Sequence, residues 1–284
     1  MRYVRLCNSF PPKIIERAGM TTQWVDIGVN LTHDSFEHDR LDVIRRAAQV
    51  GIRHMIVTGA CAESSEAAIE LARSLPSLLR ATAGCHPHQA LNLSAHAFAQ
   101  LSTLANLPEV VAVGECGLDY HRNFSSPHEQ RLAFEQQLSL AIAVQKPLFL
   151  HCRDAHRDFI AMLRAAGKDL PRAVLHCFTG SGAELDEALA SGLWIGITGW
   201  ICDERRGRHL HELVRHIPQG KLMVETDAPY LLPRDLDPKP ASRRNEPCHL
   251  PHIGTVIARL RHESPEELAA HTTATAQQFF GLPD

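Results

Sequence analysis

Two histidines stand at the ends of apolar segments of strand length. The segments LFLHCRDAH and AVLHCFTGS each pass from apolar residues through a His-Cys pair into polar residues, which places His151 and His176 at equivalent points. A single histidine at the end of a strand is more often a hydrogen-bonded core residue than a metal ligand. The repetition instead indicates two neighbouring strands that each present an imidazole to one common site.

Three further apolar segments carry side chains of the same chemical kind near their ends. His86 and His88 close one segment, Glu115 and Asp119 lie in the next, and Glu225 and Asp227 lie near the end of the last. Imidazole nitrogens and carboxylate oxygens together suit a divalent metal ion. A buried carboxylate without a partner is destabilising by several kcal/mol, so Glu115 and Asp227 each need a positive charge nearby. One metal ion would serve both.

These side chains belong to a regular alternation of apolar segments and amphipathic segments of helical period. Two of the amphipathic segments begin with capping-box spacings, Ser126 with Glu129 and Ser264 with Glu267. Strands buried on both faces and alternating with helices predict an α/β fold, a single-domain (β/α)8 TIM barrel, in which the carboxyl ends of all strands meet on one face. The eight predicted strand segments span 25–32, 54–59, 81–88, 110–119, 147–154, 172–180, 193–198 and 221–230.

The barrel domain is predicted to occupy residues 24–284, after a short N-terminal extension. Residues 1–23 contain basic side chains but no continuous apolar segment that could join the barrel core. We expect this extension to be loosely held or to result from the choice of start codon, since Met20 is an alternative start.

The composition excludes a protein that coats DNA through an overall basic charge. The formal net charge is −3 and the isoelectric point is about 6.6, so any contact with nucleic acid must come from a local basic patch. Eight cysteines occur without a Cys-x-x-Cys pair, which predicts reduced thiols and a cytoplasmic location. No apolar segment reaches the length that spans a membrane. We therefore expect no membrane contact. We also expect the protein to be a monomer.

Several ordered motifs carry a resemblance to a known family. GECGLDY, LHCRDAH, LHCFTG, IGITGW, CDERRG and VETDAPYLLPRDL together resemble the TatD-type metal-dependent deoxyribonucleases, from Asp26 to about Phe280. The resemblance implies a TIM barrel of the metal-dependent hydrolase superfamily that hydrolyses phosphodiester bonds. It further implies a magnesium-dependent 3′-to-5′ exonuclease that prefers single-stranded DNA, accepts RNA and assists repair of oxidative damage. Mn²⁺ or Zn²⁺ is an alternative metal.

The resemblance also assigns roles to the strand-end residues. Glu115, His151 and His176 match the metal ligands of the family, with Glu115 also part of the catalytic set. Asp227 matches the aspartate of strand eight that binds metal or activates water, and it is the best base for the attacking water. His86 matches the histidine near the scissile phosphate.

Strand one departs from the pattern of the wider family. Most relatives carry His-x-His after the first-strand aspartate, whereas Gly28 and Asn30 follow Asp26 here. An amide oxygen is a neutral and weaker ligand than an imidazole nitrogen. The departure predicts one firmly held ion and, at most, a second ion that arrives with the substrate.

Substrate contacts are expected from polar side chains in the loops after the strands. Any one surface arginine is ordinarily just solvated, but several on the same face as the metal would form a basic rim for phosphates. Aromatic side chains in the same loops, Trp200 among them, could stack on bases without sequence preference. The predicted substrate-binding residues are His88, Asn30, Arg122, Arg153, Arg205, Arg206 and Arg244.

Two other functions are compatible with the same barrel. An amidohydrolase acting on a cyclic amide, ester or nucleobase commonly uses strand-one histidines and a carboxylated lysine on strand four, where Gly28, Asn30 and Glu115 stand here. A metal-dependent nucleic-acid-binding protein without catalysis would lack the base or the ligands. Those three residues disfavour the amidohydrolase, and the presence of Asp227 and the histidines disfavours the non-catalytic protein.

Overall fold

The protein is described by a computed structural model that covers residues 22–283. The extension predicted over 1–23 lies almost wholly outside the described residues. Eight parallel strands form one sheet in which each strand pairs with the next one along the chain. The strands are β1 (Trp24–Val29), β2 (Ile52–Val57), β3 (Leu79–Ala83), β4 (Val110–Asp119), β5 (Leu148–Arg153), β6 (Ala173–Leu175), β7 (Trp194–Ile197) and β8 (Leu222–Val224).

The sheet curls into a barrel that is closed by backbone hydrogen bonds just beyond β8. The amide of Asp227 donates to the carbonyl of Gly28 over 2.9 Å, and the amide of Asn30 donates to the carbonyl of Ala228 over 2.8 Å. Strand order 1 to 8 with helical crossovers confirms the predicted TIM barrel. The closure also fixes Asp227 against β1 at the carboxyl end of the barrel.

Helices connect the strands and cover the outside of the barrel. The two predicted capping boxes are confirmed. Ser126 Oγ accepts from the amide of Glu129, and its own amide donates to the Glu129 carboxylate over 2.7 Å. Ser264 and Glu267 repeat the arrangement. The helices are α1 (Arg40–Gln49), α2 (Ala62–Ser74), α3 (Ala95–Ala105), α4 (Pro127–Val144), α5 (His156–Ala166), α6 (Gly182–Ala190), α7 (Leu210–Leu213), α8 (Leu250–Arg261) and α9 (Pro265–Phe280).

The interior of the barrel is filled from its amino-terminal end. Ile27 and Phe149 are fully buried inside the barrel, and Phe279 and Phe280 of α9 pack beneath them. The ring of Phe279 lies 5.2 Å from that of Trp194, the first residue of β7. The apolar filling at this end leaves the carboxyl end for polar side chains.

Two sequence expectations outside the barrel itself can be compared with the fold. The cysteines between residues 22 and 283 are all free thiols, as the composition predicts. Within the same residues, none of the helices has the length and apolar character needed to cross a bilayer.

Candidate metal centre

Three imidazoles converge on one carboxylate oxygen at the carboxyl end of the barrel. Glu115 Oε1, on β4, lies 2.8 Å from His176 Nε2, 3.0 Å from His151 Nδ1 and 3.3 Å from His86 Nε2. The donor atoms of His86, Glu115 and His151 all lie within 4.8 Å of one another. Four of the predicted site residues, contributed by four separate segments, therefore form one cluster.

A second layer of carboxylates orients these histidines. Asp119 Oδ2 lies 2.9 Å from His88 Nε2 and 3.3 Å from His151 Nε2. Glu225 Oε2 lies 3.3 Å from His176 Nδ1. Carboxylates that accept from the second ring nitrogen of a ligating histidine fix its tautomer and raise its basicity. Asp119 and Glu225 thus complete the site around Glu115.

Opposite charges hold the side chains of the cluster together. Burial raises the pKa of Glu115, but the positive charge of His176 and the hydrogen bonds from His151 and His176 outweigh burial and bring that pKa well below its usual value. Burial lowers the pKa of His176, yet the Glu115 and Glu225 carboxylates raise it well above the usual imidazole value. A bound cation would supply the positive charge that these protons supply here, because an imidazole must be neutral to ligate. The donor set therefore fits a divalent metal.

His86 presents a defined nitrogen to the centre. Its Nδ1 accepts from the backbone amide of His88 over 3.0 Å, so the neutral imidazole carries its proton on Nε2. This Nε2 is the nitrogen that faces Glu115. The side chain can therefore donate a hydrogen bond toward the centre of the site.

Asp227 lies at the edge of the cluster, just beyond β8. Its backbone has a left-handed φ of 53°, and Asn30 Nδ2 donates to its Oδ1 over 3.0 Å. Burial raises the pKa of Asp227 to about 7, against the opposing positive charge of His176. The predicted substrate contact of Asn30 is placed beside the predicted base, which Asn30 holds in position.

Asp26 has a structural part in this arrangement. Its buried carboxylate accepts from the Thr226 hydroxyl over 2.5 Å and from the Thr226 amide over 3.0 Å. Burial raises the pKa of Asp26 to about 7. The contact ties the end of β8 to β1 one residue before Asp227.

Sequence analysis finds Asp119 and Glu225 near strand ends but assigns them no role, whereas the structure brings both into the site. Both carboxylates lie near the ends of apolar segments, as Glu115 does, and that position is the signal that could have found them. Spacing along a strand does not reveal which carboxylate faces which histidine across the barrel. Their partners His88, His151 and His176 are contributed by other segments.

Gly28 leaves room for the Glu225 carboxylate. A Cβ added at Gly28 would lie 2.5 Å from Glu225 Oε2 and 2.9 Å from Phe149 Cζ. The strand-one position that carries histidine in the wider family is therefore next to a carboxylate here. A side chain at this position requires Glu225 to move away from His176.

We expect Gly28→Ala to weaken metal binding and to lower the free energy of unfolding by about 1–3 kcal/mol, the usual range for overpacking a buried site. Displacement of Glu225 removes the acceptor that orients His176. Calorimetric metal titration and thermal unfolding measure the two effects. Gly220→Ala is the control, since a Cβ there meets no atom within 4 Å. Unchanged metal affinity in Gly28→Ala would mean that Glu225 has no part in holding the ion.

A cavity of about 630 Å³ is lined mainly by residues at or after the ends of β5, β6 and β7. Arg153 and Arg206, both predicted to bind substrate, line it together with Trp200. The guanidinium carbons of Arg206 and Arg153 lie 4.4 and 5.9 Å from the centre of the Trp200 ring. The cavity thus offers an aromatic face beside two guanidinium groups, of which that of Arg206 is also paired with Asp203, with Nε 2.9 Å from Oδ2. Phe178 also lines the cavity, but its side chain is buried in the core.

The other predicted arginines have different surroundings. Arg122 and Arg205 are exposed. Arg244 is engaged by acidic side chains, because its two terminal nitrogens lie 2.8 and 2.7 Å from the Asp39 oxygens and one lies 2.7 Å from Glu246 Oε1. Contact of these arginines with substrate stays a prediction.

An eight-stranded parallel barrel that gathers imidazoles and carboxylates at the carboxyl ends of its strands has the architecture of the barrel-type metal-dependent hydrolases. A sequence model of one such family, described as TatD related DNase, matches residues 25–281. The chain belongs to the TatD family.

Similar proteins agree with this assignment. Two proteins named 3′-5′ ssDNA/RNA exonuclease TatD, from Erwinia amylovora and Edwardsiella piscicida, are each 55% identical to the chain, over 90% and 91% of it and 99% of their own lengths. Among solved structures, the TatD homologue YJJV of Escherichia coli K12 is 28% identical with a TM-score of 0.85. A TatD family hydrolase from Entamoeba histolytica is 27% identical with a TM-score of 0.84. Each of these two structures is matched over 93% of this chain and 100% of its own.

Proposed function

We propose that the protein is a metal-dependent exonuclease that hydrolyses phosphodiester bonds from the 3′ end of single-stranded DNA, and also of RNA. The observation that carries this proposal is the convergence of three imidazoles on Glu115 with Asp227 at the edge of the cluster. The names of relatives that share 55% of residues over nine-tenths of the chain supply the substrate and the direction.

The ion would be held by Glu115, His151 and His176, with Asp227 as a further ligand. When bound, a divalent cation polarises the scissile phosphate and acidifies the attacking water. We propose Mg²⁺, for which the carboxylate oxygens of Glu115 and Asp227 are suitable ligands. Imidazoles also accept Mn²⁺ or Zn²⁺, so restoring activity with each metal after chelation identifies the effective one.

The protein side chains handle the protons of the reaction. Asn30 holds Oδ1 of Asp227, so the other carboxylate oxygen can accept a proton from the attacking water. The Nε2–H group of His86 can donate a hydrogen bond to a non-bridging phosphate oxygen, which gains negative charge in the transition state. Asp227 thus removes positive charge from the attacking water, and His86 stabilises negative charge on the phosphate.

The single strand is proposed to run through the cavity beside the centre. Arg153 and Arg206 would neutralise phosphates, and the Trp200 ring would stack on a base. Phe124 is 65% exposed and lies edge-on to His88 with ring centres 4.8 Å apart, which gives a second face for stacking near the metal ligands. Stacking and phosphate contacts both tolerate any base, so little sequence preference is expected.

A linear single strand and its circular counterpart test the proposal directly. We expect metal-dependent release of mononucleotides from the linear strand, with a 3′-terminal label released first and a 5′-terminal label last. The circular strand has no end and should stay intact. Cleavage of the circle would indicate an endonuclease, and hydrolysis of cyclic amides without DNA cleavage would favour the amidohydrolase alternative. Repair of oxidative damage, a monomeric state and a cytoplasmic location stay predictions.

Salt dependence and an arginine variant test the proposed strand path. For single strands, the logarithm of the binding constant falls with a slope of about −0.7 per phosphate contacted against the logarithm of salt. We expect Arg206→Ala to bind single-stranded DNA about tenfold more weakly and with a shallower slope, because one phosphate contact is lost.

Arg164→Ala is the matched control for this variant. Arg164 lies in the last turn of α5, pairs with Glu187 on the surface and does not line the cavity. Its removal should change neither affinity nor slope. Equal effects of the two variants, or equal rates on blunt duplex and single strand, would contradict the proposed path.

A further inference from the structure

A second group of metal-binding side chains lies outside the proposed active site. The three residues are Cys202, Asp235 and His252, each of which offers one donor atom, and the three atoms lie within 4.8 Å of one another. We propose that these residues bind a zinc ion that holds together the loops on the substrate face of the barrel.

The three residues come from three different segments. Cys202 ends the 3-10 helix after β7, His252 lies in the first turn of α8, and Asp235 lies in the loop between β8 and α8. The three residues are distant in the sequence and are brought together only by the packing of the fold. His252 Nε2 lies 2.8 Å from Asp235 Oδ1, which already holds the imidazole in one orientation.

The geometry suits a tetrahedral ion. Zinc binds His nitrogen and Asp oxygen at about 2.0–2.1 Å and Cys sulfur at about 2.3 Å, which places neighbouring nitrogen and oxygen ligands about 3.3 Å apart. The Asp235 and His252 atoms need to separate by roughly half an ångström from their 2.8 Å contact to admit the ion. The side chains of His252 and Asp235 are 32% and 39% exposed, so water can reach the fourth position.

The chemistry of the donors favours zinc over the metal proposed for the active site. A thiolate is a soft ligand that Mg²⁺ does not select, whereas Zn²⁺ accepts sulfur, nitrogen and oxygen together. The same three groups could in principle form a nucleophilic triad. Cys202 is only 5% exposed, and burial raises the pKa of its thiol, with the Asp235 carboxylate adding to the rise. A nucleophilic cysteine requires the opposite shift before substrate binds, whereas a zinc ligand releases its thiol proton to solvent when the ion binds.

The position of the cluster gives the ion a structural role. The 3-10 helix that ends at Cys202 contains Trp200. Asp203 follows this helix directly, and its Oδ2 accepts a hydrogen bond from Arg206 Nε over 2.9 Å. An ion on Cys202 and Asp235 would fix this cavity wall against the loop that follows Asp227. The zinc site would thereby stiffen the proposed path of the single strand.

Cobalt substitution of the full-length protein tests the proposal. A cysteine thiolate bound to Co²⁺ gives a sulfur-to-metal charge-transfer band in the near ultraviolet, which the imidazoles and carboxylates of the active site cannot produce. We expect this band in the wild-type protein and its loss in Cys202→Ser. Two control variants should retain it: Cys248→Ser, which removes a partly buried thiol beside a carboxylate, and Cys177→Ser, which removes the thiol next to His176.

Two further variants keep the test informative if Cys202→Ser folds poorly. Asp235→Ala and His252→Ala change partly exposed side chains and should weaken Co²⁺ affinity about tenfold or more. At saturating Co²⁺ the charge-transfer band should still form in both variants, because Cys202 is retained. Zinc should also slow trypsin cleavage after Arg234 in the wild type but not in Asp235→Ala. A wild-type protein without the band, or a band that persists in Cys202→Ser, would overturn the site. Zinc binding without protection of Arg234 would overturn its role in holding the loop.

Discussion

Glu115→Gln is expected to lose metal uptake and to lower nuclease turnover about 1,000-fold or more, equivalent to about 4 kcal/mol of transition-state stabilisation. The substitution keeps the shape of the side chain but removes the negative charge on which three imidazoles converge. Without that charge, a cation would be held mainly by neutral nitrogen donors. The rate loss follows from loss of the ion, which polarises the phosphate.

Three measurements separate this result from simple misfolding. Metal content after dialysis, calorimetric titration and thermal unfolding are compared in Glu115→Gln and in His151→Ala and His176→Ala, which remove two of its partners. All three variants should fold and lose metal together with activity. Turnover at the wild-type level in any of them, after contaminating nucleases are removed, would disprove its assignment as a ligand.

Glu187→Gln is the matched control for the charge change. Glu187 also lies beside a histidine, with Oε2 at 3.1 Å from His156 Nε2, but its side chain is 40% exposed and belongs to α6. Removing its charge should leave metal content and turnover unchanged. The comparison tests the position of the carboxylate and not merely its pairing with an imidazole.

The barrel and the core of the site could be predicted from the sequence because both depend on local patterns. Apolar segments of strand length alternate with capped amphipathic segments, and that periodicity decides the fold class. Glu115, His151 and His176 end or lie near the ends of such segments, and the fold brings the carboxyl ends of parallel strands to one face. Convergence of these residues follows from the fold without any knowledge of the side-chain positions.

The contacts across the barrel could not be predicted, since they depend on which side chains meet in space. At Gly28 the sequence shows only that the histidine of the wider family is absent. In the structure the Glu225 carboxylate occupies the space beside this glycine. Arg244 has the same loop position as a phosphate-binding arginine, but Asp39 and Glu246 engage its guanidinium. The Asp39 partner could not be identified by spacing, because Asp39 lies more than 200 residues away from Arg244 in the chain.

Asp227→Asn is expected to lower kcat by about 10²–10⁴-fold, the range typical for loss of a general base, with KM nearly unchanged. The asparagine keeps an oxygen that can accept from Asn30 Nδ2, as Asp227 Oδ1 does over 3.0 Å. It also leaves Glu115, His151 and His176 to hold the ion. The variant therefore removes the proton acceptor while it preserves shape and most of the ligand set.

Asn30→Ala distinguishes the base from its support. This variant keeps the Asp227 carboxylate but removes the amide that orients it, so we expect a smaller loss of kcat, about tenfold. Steady-state kinetics on a short single-stranded substrate, with metal content measured on the same samples, compare the two variants. If Asp227→Asn instead raises KM at unchanged kcat, Asp227 positions the substrate and another group accepts the proton. If it loses metal as Glu115→Gln does, its main contribution is as a ligand, because the rate loss then accompanies the loss of the ion.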